Sequence, residues 1–420
     1  MELVFAVLAL AVTVGVALGW SHRAAPAVGG LAGVAVAIAS GAVGSAELEA
    51  TGRVLWRPLV TITSVMAMTA AARELGLFER LAALIEPRTR GPVRHAFRVV
   101  FVLSALSSAV LSNDAAVLVL TPAVIALLRT VYPKRHPKFV VAFAFAVFYA
   151  AGVAPLVVGN PMNLVVAERA GIGFNVYAVR MIPVAVAGWL TAYLVLARVF
   201  REPLADQSPA LGAWPELVPV PRAAWLVVLA LVAVLVAYPV VSFVDGPLWL
   251  VACAGAAACL VAAWSAGVRP SAVAAGVSWE ILPFLASVLV VATALEHAGV
   301  VDALARAYRE TAAPLPTIAG LAALGSALLN NHPMALLSAM AIERAGGGTA
   351  EVLASLVGGD LGPRLLPIGS LAGLLWLSTL RRAGVSISFG QFARTGVLVT
   401  VPSLAVSVAV LWLVTLVTRL

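Results

Sequence analysis

The chain has 420 residues, of which 62% are hydrophobic and 11% charged, with a formal net charge of +8 and a mean hydropathy of +1.04. So little polar surface excludes a soluble globular domain and points to an integral membrane protein. The positive charge is no sign of nucleic acid, because Lys and Arg fall between apolar runs rather than along one basic face.

A helix needs about 20 apolar residues to cross roughly 30 Å of hydrocarbon. In chain order the ordinary spans fall at 3 to 20, 27 to 45, 54 to 72, 139 to 158, 176 to 200, 223 to 244, 247 to 268 and 277 to 298. The first, within Met1 to Trp20, has no basic leader and no small-residue cleavage site, so it reads as a retained span. Four further segments are interrupted by polar residues, Gly or Pro: 97 to 131 around Asn113, 139 to 175 around Asn160, 315 to 343 around Asn331, and 350 to 380 around Asp360 to Ser370. Interrupted backbone survives at membrane depth only where protein or a wet cavity satisfies it. The fold expected is all-α, with about 10 transmembrane helices plus two re-entrant hairpins and with broken helices at the midplane. Cys253 and Cys259 sit in an apolar stretch with no His or carboxylate at ligand spacing, so they read as packing residues, and no metal or cofactor is expected.

The two halves match. Ala105-Leu106-Ser107-Ser108-Ala109-Val110-Leu111-Ser112-Asn113-Asp114 aligns without gaps on Ala323-Leu324-Gly325-Ser326-Ala327-Leu328-Leu329-Asn330-Asn331-His332, and each is followed by a second break. A duplicated pair of interrupted apolar segments is the mark of a secondary transporter with its site at the midplane. Residues 1–200 and 223–420 are expected to be two inverted-topology repeats, joined by a Pro-rich cytoplasmic linker over 201–222. The basic stretches Arg73 to Arg98, Arg129 to Lys138, Arg201 to Arg222 and Arg381-Arg382 would face the cytoplasm, which places both termini outside.

At the breaks, unpaired backbone groups and positive helix N-termini turn toward a common point. The chain adds amides, hydroxyls and a close glycine there: Ser112, Asn113, Asn160, Asn163, Asn330, Asn331, Gly369 and Ser370 are the candidate substrate-binding residues. This chemistry suits a small, neutral, multiply hydroxylated solute. Asp114, Asp360 and His332 are the titratable groups and the proton-coupling candidates, since a buried carboxylate is how a proton relay is built. For Asp114 the competing role is capping the next helix; for Asp360 it is a cap or an ion pair with Arg364; for His332 it is a hydrogen-bonded tip. Glu168, Arg169, Glu280 and Glu296 read as interfacial anchors, and Arg394 as a snorkelling side chain.

Asn113-Asp114-Ala115-Ala116-Val117-Leu118-Val119-Leu120-Thr121-Pro122, Asn330-Asn331-His332-Pro333 and Gly359-Asp360-Leu361-Gly362-Pro363-Arg364-Leu365-Leu366-Pro367-Ile368-Gly369-Ser370-Leu371-Ala372 resemble the arsenical pump membrane protein family. The likeness continues through Leu374 to Leu377 and Phe392 to Gly396, and so covers most of the chain. It departs at Ala115, where glycine is expected, at His332 and Met334, where an apolar and a small or hydroxyl residue are expected, and at Gly159-Asn160-Pro161, which is closer to the wider ion transporter superfamily. The resemblance implies a bacterial or archaeal cell-membrane exporter of arsenite or antimonite as the neutral trihydroxide. Export is driven by proton exchange, or by a soluble arsenite-stimulated ATPase where one is present; a homodimer stays open. The alternatives are a cation/proton antiporter or anion carrier of the same superfamily, and a passive channel subunit of an ATPase-driven pump. An enzyme is disfavoured, since no nucleophile elbow or cofactor loop is present.

Overall fold

The computed structural model describes residues 2–19, 24–77, 80, 92–132, 137–205 and 221–418. Among these every regular element is a helix. The first half opens with α1 (Glu2–Gly19), α2 (Ala25–Ala39) and α3 (Ser45–Glu74), followed by a pair, α4 (Val93–Val110) and α5 (Asn113–Val131), separated only by Leu111 and Ser112. A broken pair comes next, α6 (Pro137–Ala150) and α7 (Pro161–Arg169), then the long α8 (Phe174–Val199) and short α9 (Arg201–Ala205). The second half repeats this order. Its first helices are α10 (Arg222–Phe243), α11 (Leu248–Ser265) and α13 (Ile281–His297), with the short α12 (Pro270–Gly276) before α13 and α14 (Val300–Glu310) after it. The pair α15 (Pro314–Leu329) and α16 (Asn331–Ala345) is separated by Asn330; α17 (Thr349–Leu361) and α18 (Leu371–Arg382) form the second broken pair, and α19 (Phe389–Val417) closes the chain.

Three boundaries differ from the sequence reading for physical reasons. The span expected at 139 to 158 stops at Ala150, because Gly152 and Pro155 end the helix and the chain crosses to α7 through a 3₁₀ turn at Val157–Gly159. The span expected at 54 to 72 is the apolar part of a 30-residue helix that starts at Ser45, where the Glu47 carboxylate accepts the Gly44 N–H at 2.9 Å. The 29-residue α19 is absent from the expected spans; it carries Arg394 near its start and Pro402 inside, and both fit a helix that packs along α8.

Small residues let the broken segments approach one another. On α15, Ala319, Ala323 and Ala327 recur every fourth residue and face Gly358, Gly362 and Gly369 of the second break. A Cβ on Gly358 or Gly362 would lie 2.2 Å from the carbonyl oxygen of Ala319 or Ala323. Behind this seam an aromatic cluster ties α6 to α18 and α19, with Phe148 stacked on Trp376 at 4.4 Å and Trp376 wholly buried.

The two ends of the molecule are distinct. At one rim Trp56 meets Trp249, His297 meets the Ala42 carbonyl and Arg57 lies 3.7 Å from Glu168. At the other, Arg73 packs beside Gly276, and Arg129 donates to the Ala383 carbonyl.

Candidate functional site

Both breaks end in the same local geometry. In each, an extended residue (Leu156, Leu366) leads into a 3₁₀ turn closed by glycine (Gly159, Gly369), and a second extended residue caps the next helix. In the first break Asn160 Oδ1 accepts the Met162 N–H at 3.1 Å; in the second Ser370 Oγ accepts the Gly373 N–H at 3.0 Å. The paired helices show the related pattern at Asn330, whose Oδ1 accepts both the His332 N–H at 3.2 Å and a hydrogen bond from His332 Nδ1 at 3.1 Å. Asn330 adopts φ 85 and ψ 147, a region other residues avoid, and the cap holds it there.

Asp360 stitches the two breaks together. Its Oδ1 accepts from Asn160 Nδ2 at 2.6 Å, and its Oδ2 from the Ala154 N–H at 2.9 Å and Asn163 Nδ2 at 3.0 Å. Asn163 also donates to the Tyr177 hydroxyl at 2.8 Å, and that hydroxyl donates to the Ala154 carbonyl at 3.1 Å. Four residues on, Arg364 gives its guanidinium to main-chain carbonyls at the end of α6, those of Phe148 and Ala151, and to the Asp360 carbonyl. The guanidinium therefore satisfies carbonyls that the broken helix leaves without a partner. Of the two competing roles considered for Asp360, an ion pair is thus not the main one; Arg364 binds its main chain while its carboxylate holds the opposite break.

The pair tips reach the same place. Asn113 Nδ2 donates to the Gly152 carbonyl of the first break at 3.0 Å, which fixes the orientation of its amide. The Oδ1 atoms of Asn113 and Asn331, at aligned positions in the two tips, are buried without a hydrogen-bond partner among the described residues. Gly369 serves packing, since a Cβ there would lie 2.6 Å from Pro363 Cα and 3.2 Å from Ala327 Cα. The side chain of Asp114 lies outside what the structure describes; α5 starts at Asn113, and the Ser112 carbonyl accepts the Ala116 N–H.

One cavity of about 120 Å³ lies where these elements meet. Ser112, Pro161, His332 and Ala372 line it, and each stands at the first turn of α5, α7, α16 or α18. From there it runs along α5 (Leu118, Val119) and α18 (Leu375) toward Arg73 and Glu280, with Met66 and Thr69 of α3 as the facing wall. His332 packs edge-on against Phe284 with ring centroids 5.5 Å apart. Of the sequence candidates, Ser112 and His332 are on the wall, while Asn113, Asn160, Asn163, Asn330, Asn331, Asp360 and Ser370 are buried in the cradle behind it. Arg73, Thr69, Glu280 and Tyr177 were not among them. No local motif marks those four, because they come from ordinary helices that only the fold brings to the breaks.

Away from the cavity, the expected anchors form pairs at the Trp56 rim. Arg169 donates to Glu343 at 3.0 Å, and Arg344 to Glu296 at 2.7 Å and to Asp302 at 2.8 Å.

The profile described as arsenical pump membrane protein matches residues 2–415. An arsenical pump membrane protein of Escherichia coli is 32% identical over 418 residues, covering 94% of each chain. One from Yersinia enterocolitica is 31% identical over the same share. An uncharacterized transporter of Mycobacterium tuberculosis is 32% identical over 377 residues, covering 85% of this chain and 86% of that one. Among solved structures, the YdaH transporter of Alcanivorax borkumensis, whose topology is described as unusual, superposes with a TM-score of 0.58 over 87% of this chain and 86% of that one; at 18% identity the likeness is one of fold.

Proposed function

The chain belongs to the arsenical pump membrane protein family and is a multi-pass membrane transporter, and from that premise we propose that it exports the trivalent hydroxide of arsenic or antimony in exchange for protons. The observation that carries this reading is the convergence of four helix starts on one small cavity. A cavity of about 120 Å³ suits a small solute and not an organic one of drug size, for which pockets run to roughly 300 Å³ or more. A neutral trihydroxide has both kinds of hydrogen-bonding group the site asks for. Its oxygens accept from the positive helix ends, and its O–H groups donate to acceptors such as the orphaned amide oxygens of Asn113 and Asn331, one residue from the wall. An oxyanion without protons would leave those two oxygens unmet.

The proposed cycle is alternating access. The two helix pairs and the two broken pairs move as one body against α1–α3 and α10–α13: Asp360 and Arg364 cross-link the two broken pairs, Asn113 ties the first tip to the first break, and α15 packs on the second. Matching element order and matching break geometry support two inverted repeats over 1–200 and 223–420, joined by a cytoplasmic linker. Basic residues at the Arg73 rim support its cytoplasmic placement. With the cavity running toward that rim, the state described is inward-facing, and protons reach it from outside in the opposite state. His332 on the wall takes the proton in competition with the solute, Asp360 is the carboxylate in the cradle behind it, and Asp114 is the second carboxylate of the relay.

Uptake of radiolabelled arsenite into everted vesicles energised by a proton gradient tests the reading. Wild type should accumulate arsenite, and His332→Gln, Asp114→Asn and Asp360→Asn should fall to background while remaining in the membrane. Accumulation that follows a sodium gradient instead, or none from folded protein, would overturn it. Counterflow of labelled against unlabelled arsenite separates a carrier from a passive channel, which gives none.

A further inference from the structure

We infer that the groove between the start of α4 and the end of α8 is a binding site for the phosphate headgroup and one acyl chain of an anionic phospholipid. The groove encloses about 390 Å³ and is rimmed by Arg94, Arg198 and Arg201. All three are exposed, and none has a hydrogen bond or ion pair among the described residues. Three cations converging on one hollow with no carboxylate among the described residues that line it call for an anion, and phosphate pairs bidentately with guanidinium groups.

The surroundings make that anion a lipid. On α8 the row Val186, Leu190, Leu194, Arg198 advances four residues at a time along one face, and Leu194 is 57% exposed. On α4 the row Arg94, Arg98, Val102, Leu106 runs the opposite way, with Leu106 56% exposed. Two apolar stripes that no described helix covers thus each end in arginine at the same rim. The floor between them is aromatic, Phe97 and Tyr193 with ring centroids 6.0 Å apart. An acyl chain lying on that floor brings its phosphate to the arginines, at the depth where a headgroup sits. Glu202 lines the neighbouring cavity, with Arg201 shared between the two.

Native mass spectrometry of protein released from mixed phosphatidylglycerol and phosphatidylcholine micelles counts the lipid retained. Wild type should hold phosphatidylglycerol over phosphatidylcholine, and each Arg→Gln change at 94, 198 or 201 should weaken that retention about fivefold. A paired control, Arg306→Gln with Arg309→Gln on α14, should retain it as wild type does. A variant combining all three changes should lose the preference altogether, and should it fold poorly the single variants carry the test. Retention unchanged in every rim variant, displacement of the lipid by millimolar inorganic phosphate, or occlusion of the groove by a second copy of the chain would each overturn the assignment.

Discussion

Asp360 spends its hydrogen-bonding capacity on the other half of the chain, and this decides what its replacement does. Three N–H donors, from Ala154, Asn160 and Asn163, converge on its two oxygens in a site that is 3% exposed. Asparagine is nearly the same size but turns an NH₂ toward one of those donors, leaving a buried group unmet at about 1–3 kcal/mol. Asp360→Asn should therefore lower the thermal transition in detergent as well as abolish transport. A drop in transport with no loss of stability would mark it as a proton carrier whose bonding to the break is dispensable. Tyr177→Phe removes both the acceptor for Asn163 and the donor to Ala154, without touching the cavity. It should cost about 1–2 kcal/mol in stability by the same reasoning and raise the KM for arsenite only modestly; a total loss of uptake would place the hydroxyl in the transport path.

At the scale of elements, two adjacent glycines separate packing from flexibility. A Cβ on Gly358 would collide with the Ala319 carbonyl at 2.2 Å, whereas one on Gly359 meets nothing within 4 Å. Gly358→Ala should push α17 off α15 at a cost of about 1–3 kcal/mol, while Gly359→Ala should be neutral or slightly stabilising, by up to about 1 kcal/mol, because alanine favours the helix. Thermal melts of the two variants read this directly, and equal behaviour would show that the seam is loose. These elements were legible in the sequence to different degrees. Polar residues inside apolar runs located both tips and both breaks, since burying Asn113, Asn160 or Asp360 in hydrocarbon is tolerable only at a break. The alignment of Ser112 to Asp114 on Asn330 to His332 paired the two tips, each of which supplies one residue, Ser112 or His332, to the cavity wall. The helix end at Ala150 was blurred, because the residues around it are as apolar as a helix interior. Arg73 and Glu280 looked like rim charges, and only tertiary packing turns them onto the cavity wall.

For the whole molecule the question is what holds one rim shut while the cavity runs to the other. At the Trp56 rim, Arg169–Glu343 joins α7 to α16, and Arg344 joins α16 to α13 and α14 through Glu296 and Asp302. The end of α16, whose first turn lines the cavity, is thus held within the proposed mobile body by Arg169–Glu343 and latched to the frame by Arg344–Glu296. Such half-exposed pairs contribute at most about 1 kcal/mol each, which suits a latch that must open on every cycle. Removing Arg344 breaks two of them together, so Arg344→Gln should raise the population of the opposite state by a few-fold. A single cysteine at Leu375 on the cavity wall, in a chain with Cys253 and Cys259 changed to serine, reports that population through an impermeant maleimide. In the latched protein the label should reach it from the Arg73 rim and scarcely from the Trp56 rim. With Arg344→Gln, labelling from the Trp56 rim should rise a few-fold and labelling from the Arg73 rim should fall in step, because one population shift governs both. If only the first changed, Arg344 would be a local plug over the cavity, and the two-state exchange between rims would have to be held by other contacts.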